Sequence, residues 1–235
     1  MNTIFKFKQF DIINNENVWK VGTDGVLLGA LLNCENAENI LDIGCGTGLI
    51  ALMAAQKSNA LIDAIDINDI ACELTKQNIR NSKWGNRISV HNTAIQDFFP
   101  NKKYDLIVSN PPFFLTGQPA PNKNRAIARH TTELNFIELA ENVTRLLNDN
   151  GIFAVIYPSK EMLIFEKFAS QFDLHLKQSF FVHPNPQKEH IRTVSFFAKK
   201  ITNFIKYEDI TIETEKRHDY TAQYRNLTQD YYWNI

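Results

Sequence analysis

The chain has 235 residues, of which 44% are hydrophobic and 22% charged, and its formal net charge is −1. This composition is that of an ordinary globular protein, and it excludes a strongly basic protein that coats nucleic acid. No apolar run approaches the roughly 18 residues of a membrane-spanning helix, and the first ten residues contain no apolar signal segment. Cys34, Cys45 and Cys72 form no Cys-x-x-Cys pair, so neither a disulfide framework nor a metal site is predicted. We therefore expect a cytoplasmic protein with reduced thiols.

The predicted elements begin with a small hairpin within residues 3–21, followed by a helix at 24–32. Strands and helices then alternate along the chain, which implies a mostly parallel sheet with right-handed crossovers. The strands are predicted at 39–43, 61–67, 88–91, 104–109 and 151–157. The intervening helices are predicted at 48–57, 69–83, 135–147 and 161–172.

The last part of the chain departs from this alternation. Segments 174–183 and 191–199 are predicted to form an antiparallel hairpin at the sheet edge, and residues 203–235 a strand and a terminal helix. The fold class is therefore α/β, with a mostly parallel sheet, an antiparallel edge hairpin and helices on both faces. We expect one domain over residues 1–235, with an N-terminal extension at 1–38, a core at 39–200 and a C-terminal extension at 201–235.

A glycine loop leaves the first core strand and enters the next helix. It comprises Asp42, Ile43, Gly44, Cys45, Gly46, Thr47 and Gly48. Glycines allow a tight turn and a close approach of backbone to a ligand, and the helix start offers free N–H groups. A dinucleotide site requires Gly-x-Gly-x-x-Gly, but here Leu49 stands where that pattern needs its third glycine. The loop instead resembles the first motif of class I S-adenosylmethionine-dependent methyltransferases, which have a Rossmann-like fold.

Acidic residues follow the next strands and suit the same cofactor, S-adenosyl-L-methionine. Asp66 ends the second core strand, where its two carboxylate oxygens can accept both ribose hydroxyls. Its position, 18 residues after Gly48, suits either a dinucleotide or S-adenosylmethionine. The resemblance implies that Asp42 attracts the cationic end of the methionine moiety and that Asp97 accepts from the adenine amine. Ile67, next to Asp66, is included among the cofactor-binding residues.

Asn110, Pro111, Pro112 and Phe113 follow the strand at 104–109, and open α/β sheets bind ligands at such carboxyl ends. The Asn110 side-chain carbonyl and the Pro111 backbone carbonyl can accept both N–H bonds of an aromatic amine, which directs the nitrogen lone pair at a methyl donor. Pro112 restricts the backbone, and Phe113 and Phe114 can stack on a base. The corner resembles the Asn/Asp-Pro-Pro-Tyr/Phe motif of methyltransferases acting on adenine N6, cytosine N4, guanine N2 or glutamine N5.

Three further segments narrow the choice of family. Residues 5–10 read FKFKQF and residues 20–30 read KVGTDGVLLGA, and Ala128, Arg129 and His130 follow the amine corner. With the corner, they resemble the bacterial tRNA1(Val) (adenine-37-N6)-methyltransferase family over roughly residues 4–235. This resemblance implies a tRNA substrate, methylated at adenine 37. It also implies that four residues line the methionine side of the cofactor: Lys20, Gly22, Thr23 and Asp24.

A basic stretch after the amine corner is predicted to contact RNA phosphates. No acidic residue lies between Asp105 and Glu133. The candidate RNA-contacting residues are Phe114, Lys123, Arg125, Arg129 and His130. We expect tRNA as the partner, no membrane or protein partner, and a monomer.

Alternative substrates stay open at this point. Phe113 stands where tyrosine is common, and guanine-N2 rRNA methyltransferases often have phenylalanine there. Protein glutamine-N5 methyltransferases share the corner, but they carry a sizeable helical domain before the glycine loop, and only about 40 residues precede it here. DNA adenine methyltransferases need a target-recognition region longer than residues 203–235. A binding module without chemistry is disfavoured because Asn110 and Asp42 are both present.

Overall fold

The computed structural model describes residues 3–18, 20–112 and 136–233. The strands are β1 Thr3–Lys6, β2 Asp11–Asn14, β3 Asn39–Ile43, β4 Leu61–Asp66, β5 Ile88–Asn92, β6 Tyr104–Ser109, β7 Leu147–Pro158, β8 His175–His183, β9 Arg192–Ala198 and β10 Lys206–Thr211. The helices are α1 Thr23–Leu31, α2 Leu49–Lys57, α3 Asp69–Arg80, α4 Phe136–Leu146, α5 Ser159–Ala169 and α6 Ala222–Thr228. Short 3-10 helices cover Gly85–Arg87, Ile95–Asp97 and Ser170–Phe172.

An eight-stranded sheet forms the centre, in the order β10-β8-β9-β7-β6-β3-β4-β5. All neighbouring strands are parallel except β9, which runs antiparallel to both β7 and β8. This arrangement confirms the predicted α/β class and the antiparallel hairpin β8–β9. The strand predicted within residues 203–235 is β10, which pairs with β8 and becomes the outermost strand next to the hairpin. The carboxyl ends of β3, β4, β5, β6 and β7 therefore lie at one edge.

The sheet is covered on both faces, because its central strands are apolar on both sides. In β6, Leu106 and Val108 pack into one hydrophobic cluster, with residues of α1, α2 and α6. Ile107 packs into the other cluster, with residues of α4 and α5. Such strands read as continuous apolar runs, which is why β6 matches its predicted limits. Among the described residues, no helix has the length and apolar character needed to cross a membrane.

Several element limits differ from the prediction by one to four residues, and two of these differences have a clear structural cause. Helix α4 ends at Leu146, and β7 begins at once at Leu147, four residues before the predicted strand start. Leu147 pairs with Tyr104 before a register shift in the β6–β7 ladder. A Cβ at Gly151 would lie 2.8 Å from the Leu147 side chain and 2.9 Å from the Tyr104 carbonyl oxygen, so this irregular entry requires glycine. Helix α3 ends at Arg80, three residues before its predicted end at 83. The Asn81 N–H caps its last turn by donating to the Gln77 carbonyl.

Candidate active site

Four predicted site residues follow neighbouring strands at the carboxyl edge of the sheet. In the order β5-β4-β3-β6, Asp97 comes after β5, Asp66 ends β4, Gly44 follows β3, and Asn110 follows β6. Neighbouring strands lie about 4.8 Å apart, so the ends of these four strands span about 15 Å. The fold therefore brings the predicted cofactor acids, the glycine loop and the amine corner into one row.

The glycine loop has the conformation that its sequence predicts. Gly44, Gly46 and Gly48 have φ angles of 71°, 56° and 79°, in the left-handed region that favours glycine. The backbone N–H groups of Gly44 and Cys45 donate to the Ile65 carbonyl at 2.9 and 3.0 Å, which fixes the loop on β4. Among the described residues, no atom beyond its chain neighbours would lie within 4 Å of a Cβ at Gly44. That side of the loop is open, so a ligand can approach its backbone.

Two side chains of α3 hold the loop from below, and the sequence did not predict this role for either. The Thr75 hydroxyl donates to the Gly46 carbonyl at 2.9 Å, and the Asn78 amide donates to the Thr47 carbonyl at 2.9 Å. Both side chains are fully buried. Polar residues three positions apart on the buried face of a helix are the only sequence signal of this support, since buried polar groups need partners.

Asp66 is half-buried and positioned by backbone groups. Its Oδ2 accepts the Gly46 N–H and its Oδ1 accepts the Asn68 N–H, both at 2.9 Å. Burial raises the pKa of the Asp66 carboxyl, and these backbone N–H groups oppose that rise. Each carboxylate oxygen can accept a second hydrogen bond. The arrangement is therefore compatible with the predicted pair of ribose hydroxyls, beside the exposed side chain of Ile67.

Asp42 lies beneath the loop, with 1% of its surface exposed. Its Oδ2 accepts the Ala51 N–H at 3.1 Å in the first turn of α2. Its Oδ1 is buried and has no hydrogen-bond partner among the described residues. Burial, with a smaller effect from the Asp66 charge, raises the pKa of Asp42 to about 7. An unpartnered buried carboxylate oxygen suits a cationic ligand group, because a nearby positive charge stabilises its ionised form.

The amine corner lies where α1 meets the sheet. A Cβ at Gly25 would be 3.1 Å from the Leu49 side chain and 3.7 Å from Asn110 Nδ2, so glycine lets α1 approach both. Pro111 is buried and Pro112 exposed. The Ser109 hydroxyl donates to the Ile43 carbonyl at 3.0 Å and so joins the ends of β6 and β3. Asn110 is thereby held beside the first residue of α2, next to the glycine loop.

The segment expected to line the methionine side leads into α1. Lys20, Gly22 and Thr23 are exposed. Asp24 forms an ion pair with Arg192 at 2.8 Å, and the sequence did not predict a role for this arginine. Asp97 is exposed in the 3-10 helix after β5. The remaining predicted residues lie outside the described part of the chain: Phe113, Phe114, Lys123, Arg125, Arg129 and His130.

These residues fit S-adenosylmethionine. Its ammonium group suits the unpartnered oxygen of Asp42, and its ribose suits Asp66. The open side of Gly44 leaves space for its chain along the loop. An anionic pyrophosphate at the same loop would be repelled by the Asp42 carboxylate beneath it, which disfavours a dinucleotide.

Comparisons with known proteins agree with this chemistry. A family model described as "Methyltransferase small domain" matches residues 16–162. A relative from Phocaeicola vulgatus, named tRNA1(Val) (adenine(37)-N6)-methyltransferase, is 43% identical, and the match covers 100% of this chain and 99% of the relative. A relative of the same name from Trichodesmium erythraeum is 41% identical, with 97% of both chains covered.

Solved structures share the fold at low sequence identity. The crystal structure of a predicted O-methyltransferase from Agrobacterium tumefaciens has a TM-score of 0.66 and 15% identity, covering 91% of this chain and 100% of that one. A TehB-like SAM-dependent methyltransferase from Corynebacterium glutamicum has a TM-score of 0.51 and 20% identity, covering 77% and 89%. With the family model and the full-length relatives, the chain belongs to the tRNA1(Val) (adenine(37)-N6)-methyltransferase family, on the class I methyltransferase fold.

Proposed function

We propose that this protein transfers a methyl group from S-adenosylmethionine to N6 of adenine 37 in tRNA1(Val). The observation that carries the proposal is the row of Asp66, the glycine loop and Asn110 on the adjacent strands β4, β3 and β6. In this proposal, the ribose of the elongated cofactor binds at the Asp66 end of the row. The amine corner at Asn110 lies at the other end. The names of the full-length relatives supply the substrate.

In this proposal the acids and the loop bind and orient the cofactor. Asp66 binds the ribose, and Asp42 binds the ammonium group directly or through water. Because Gly44 has no side chain, the cofactor can lie against the loop backbone. Asp97 accepts from the cofactor's adenine amine, and Ile67 gives it an apolar contact. When bound, S-adenosylmethionine supplies a methyl group on a positively charged sulfur.

Asn110 and Pro111 orient the substrate amine. The N6 nitrogen of adenine is a weak nucleophile because its lone pair is delocalised into the ring. Acceptance of its two N–H bonds by the Asn110 side-chain carbonyl and the Pro111 backbone carbonyl turns the lone pair out of the ring plane. Orientation of this kind lowers the barrier without a strong base, and the amine proton can leave to solvent after transfer.

Substrate binding depends on residues outside the described part of the chain. We propose that Phe113 and Phe114 stack on the base and that Lys123, Arg125, Arg129 and His130 contact phosphates. An anticodon-loop adenine is already partly unstacked, so it enters the corner at lower cost than a base in a duplex.

Product analysis tests the function directly. Wild-type protein is incubated with labelled S-adenosylmethionine and an unmodified tRNA1(Val) transcript, in parallel with a matched transcript that has guanosine at position 37. Digestion and nucleoside mass spectrometry should detect N6-methyladenosine only from the first transcript. N2-methylguanosine from either would support the guanine-N2 alternative instead. A third incubation contains a bacterial release factor as a protein substrate, and label in its glutamine but in neither transcript would support the glutamine-N5 alternative.

A further inference from the structure

We infer that Asn78 is a positioning residue for the cofactor, because its side chain holds the glycine loop and strand β2 at a fixed separation. The inference rests on the proposed function, from which it takes S-adenosylmethionine as the ligand. It assigns a role in ligand affinity to a residue of α3 that lies below the loop.

One amide group joins three backbone groups from two distant segments. Asn78 Oδ1 accepts the Ile13 N–H at 2.9 Å, while Nδ2 donates to the Ile13 carbonyl at 3.2 Å and to the Thr47 carbonyl at 2.9 Å. The side chain is fully buried, and both of its donor protons are used. Loss of any partner would leave a buried polar group unsatisfied, so the three bonds hold these backbones firmly.

Asn14, the next residue of β2, extends this connection to the segment at 20–24 on the other side of the proposed cofactor site. Asn14 is 6% exposed, and its Oδ1 accepts the Val21 N–H at 3.0 Å. Val21 directly precedes Gly22, the N-cap of α1. A continuous path of contacts therefore runs from Thr47 in the glycine loop through Asn78 and Asn14 to the segment at 20–24.

Apolar packing keeps this path on α3. Val18, in the turn between β2 and α1, is buried with Ala71 and Leu74, and Ile13 packs against them. The segment at 20–24 and the glycine loop, which lie on the two sides of the proposed cofactor site, are thus both positioned by α3. Because they come from separate parts of the sequence, their separation depends on the side chains between them.

The consequence is a specific effect on affinity. Loss of the Asn78 bonds lets the segment at 20–24 and the loop at 44–48 separate, so S-adenosylmethionine binds less tightly. Among the described residues, no hydrogen bond joins Asn110 to Asn78 or Asn14, so the transfer step with both substrates saturating should change little.

The test compares Asn78→Leu, which has nearly the same size and removes all three bonds, with Asn148→Leu. Asn148 donates to Asp105 at 2.6 Å near the starts of β7 and β6, at the opposite edge of the sheet. Affinity for S-adenosylmethionine is measured by calorimetry, and amide hydrogen exchange is followed in residues 11–21 and 44–52. Asn14→Ala provides a second variant that keeps the Asn78 bonds and can be used if Asn78→Leu does not fold.

We expect Asn78→Leu to weaken binding about tenfold, the change that corresponds to roughly one net hydrogen bond. Exchange should rise in both segments, and the saturated rate should fall by less than about threefold. Asn14→Ala should weaken binding less, with faster exchange in 11–21 alone, and unchanged affinity in this variant would overturn the inference if Asn78→Leu does not fold. Unchanged affinity in the Asn78 variant, or an equal loss in Asn148→Leu, would overturn the inference. If the wild-type protein fails to bind S-adenosylmethionine at all, the proposed function itself is refuted.

Discussion

The Asp24 carboxylate accepts a 2.8 Å hydrogen bond from Nε of Arg192, a residue 168 positions later in the chain. Asp24 lies in the first turn of α1, and Arg192 is the first residue of β9. Because β9 runs antiparallel to β7, its first residue lies at the edge where the parallel strands end. The ion pair therefore fixes the segment at 20–24 against the far side of the active site.

Arg192→Met should affect ligand binding more than folding. Both partners are partly exposed, so the pair contributes no more than about 1 kcal/mol to the free energy of unfolding. We expect the KM for S-adenosylmethionine to rise severalfold while the melting temperature changes little. Arg225→Met is the matched control, because Arg225 pairs with Asp219 at the same 2.8 Å away from the site. Equal KM values for both variants would contradict a positioning role for Arg192.

Two glycine substitutions should distinguish a loss of cofactor affinity from a loss of folding stability. Gly44→Ala forces a left-handed alanine at a cost of about 1–2 kcal/mol, but its Cβ meets no atom within 4 Å in the part of the chain that the structure describes. Gly48→Ala adds a contact of 2.9 Å to the Thr75 methyl group and should destabilise the protein further. Urea unfolding and calorimetry should show that Gly44→Ala loses more cofactor affinity than its stability loss explains. Normal binding by Gly44→Ala would contradict a cofactor path along this loop.

The pH dependence of cofactor binding should report on Asp42. Burial raises its pKa from 3.8 to about 7, so its contribution to folding stability is full below about pH 4 and is lost as the pH rises through about 7. A bound ammonium group favours the ionised carboxylate. Near pH 6, binding of S-adenosylmethionine should therefore release a proton, and affinity should rise up to about pH 7.5.

Calorimetry in two buffers of different ionisation enthalpy measures that proton release. Asp42→Asn is the control, because its side-chain oxygen can still accept the Ala51 N–H while it has no carboxyl to titrate. Asp66, whose pKa burial also raises, is present in both proteins. The same proton release in Asp42→Asn would show that Asp42 does not contact the ammonium group.

The basic stretch that follows the amine corner remains a sequence-based prediction, since it lies outside the described residues. Arg125→Ala and Arg129→Ala should each weaken tRNA binding and lower the slope of log affinity against log salt concentration by about one. Affinity for S-adenosylmethionine should be unchanged. Lys76→Ala, which removes a cation paired with Glu73 on α3, is the control. Unchanged slopes for both arginine variants would exclude these phosphate contacts.

Local patterns predicted the strands and the loop well. β3 and β6 have their predicted limits because short apolar runs end at polar or glycine-rich turns. The glycine loop was predictable for the same reason, since its positive φ angles depend on residue type. The irregular start of β7 was not, because it depends on Gly151 meeting Tyr104 of another strand.

The supporting residues of the site could not be predicted from local sequence. Thr75 and Asn78 contact loop carbonyls 29 and 31 positions earlier in the chain, and Arg192 contacts Asp24 across 168 positions. A buried helix face predicts burial but not the partner of a polar side chain on it. Such partners depend on how α3 and β9 pack, which only the folded chain determines.

Replacement of Asn110 by aspartate should preserve part of the activity. A carboxylate still accepts hydrogen bonds from the substrate amine, and the Asp-Pro-Pro form of the motif uses this group. We expect the turnover of Asn110→Asp to lie between those of the wild type and Asn110→Ala. An aspartate variant as inactive as the alanine variant would mean that hydrogen-bond acceptance at this position is not sufficient for catalysis.

The central claim is that Asn110 orients the adenine amine beside the cofactor's methyl group. Single-turnover methylation of tRNA1(Val) by the wild type and Asn110→Ala, with S-adenosylmethionine affinity measured in parallel, tests it most directly. By analogy with oxyanion donors, one bond made mainly in the transition state contributes ~2.7–4 kcal/mol, so the rate should fall on the order of 10²–10³-fold while cofactor affinity stays nearly constant. A wild-type rate in Asn110→Ala would contradict the mechanism.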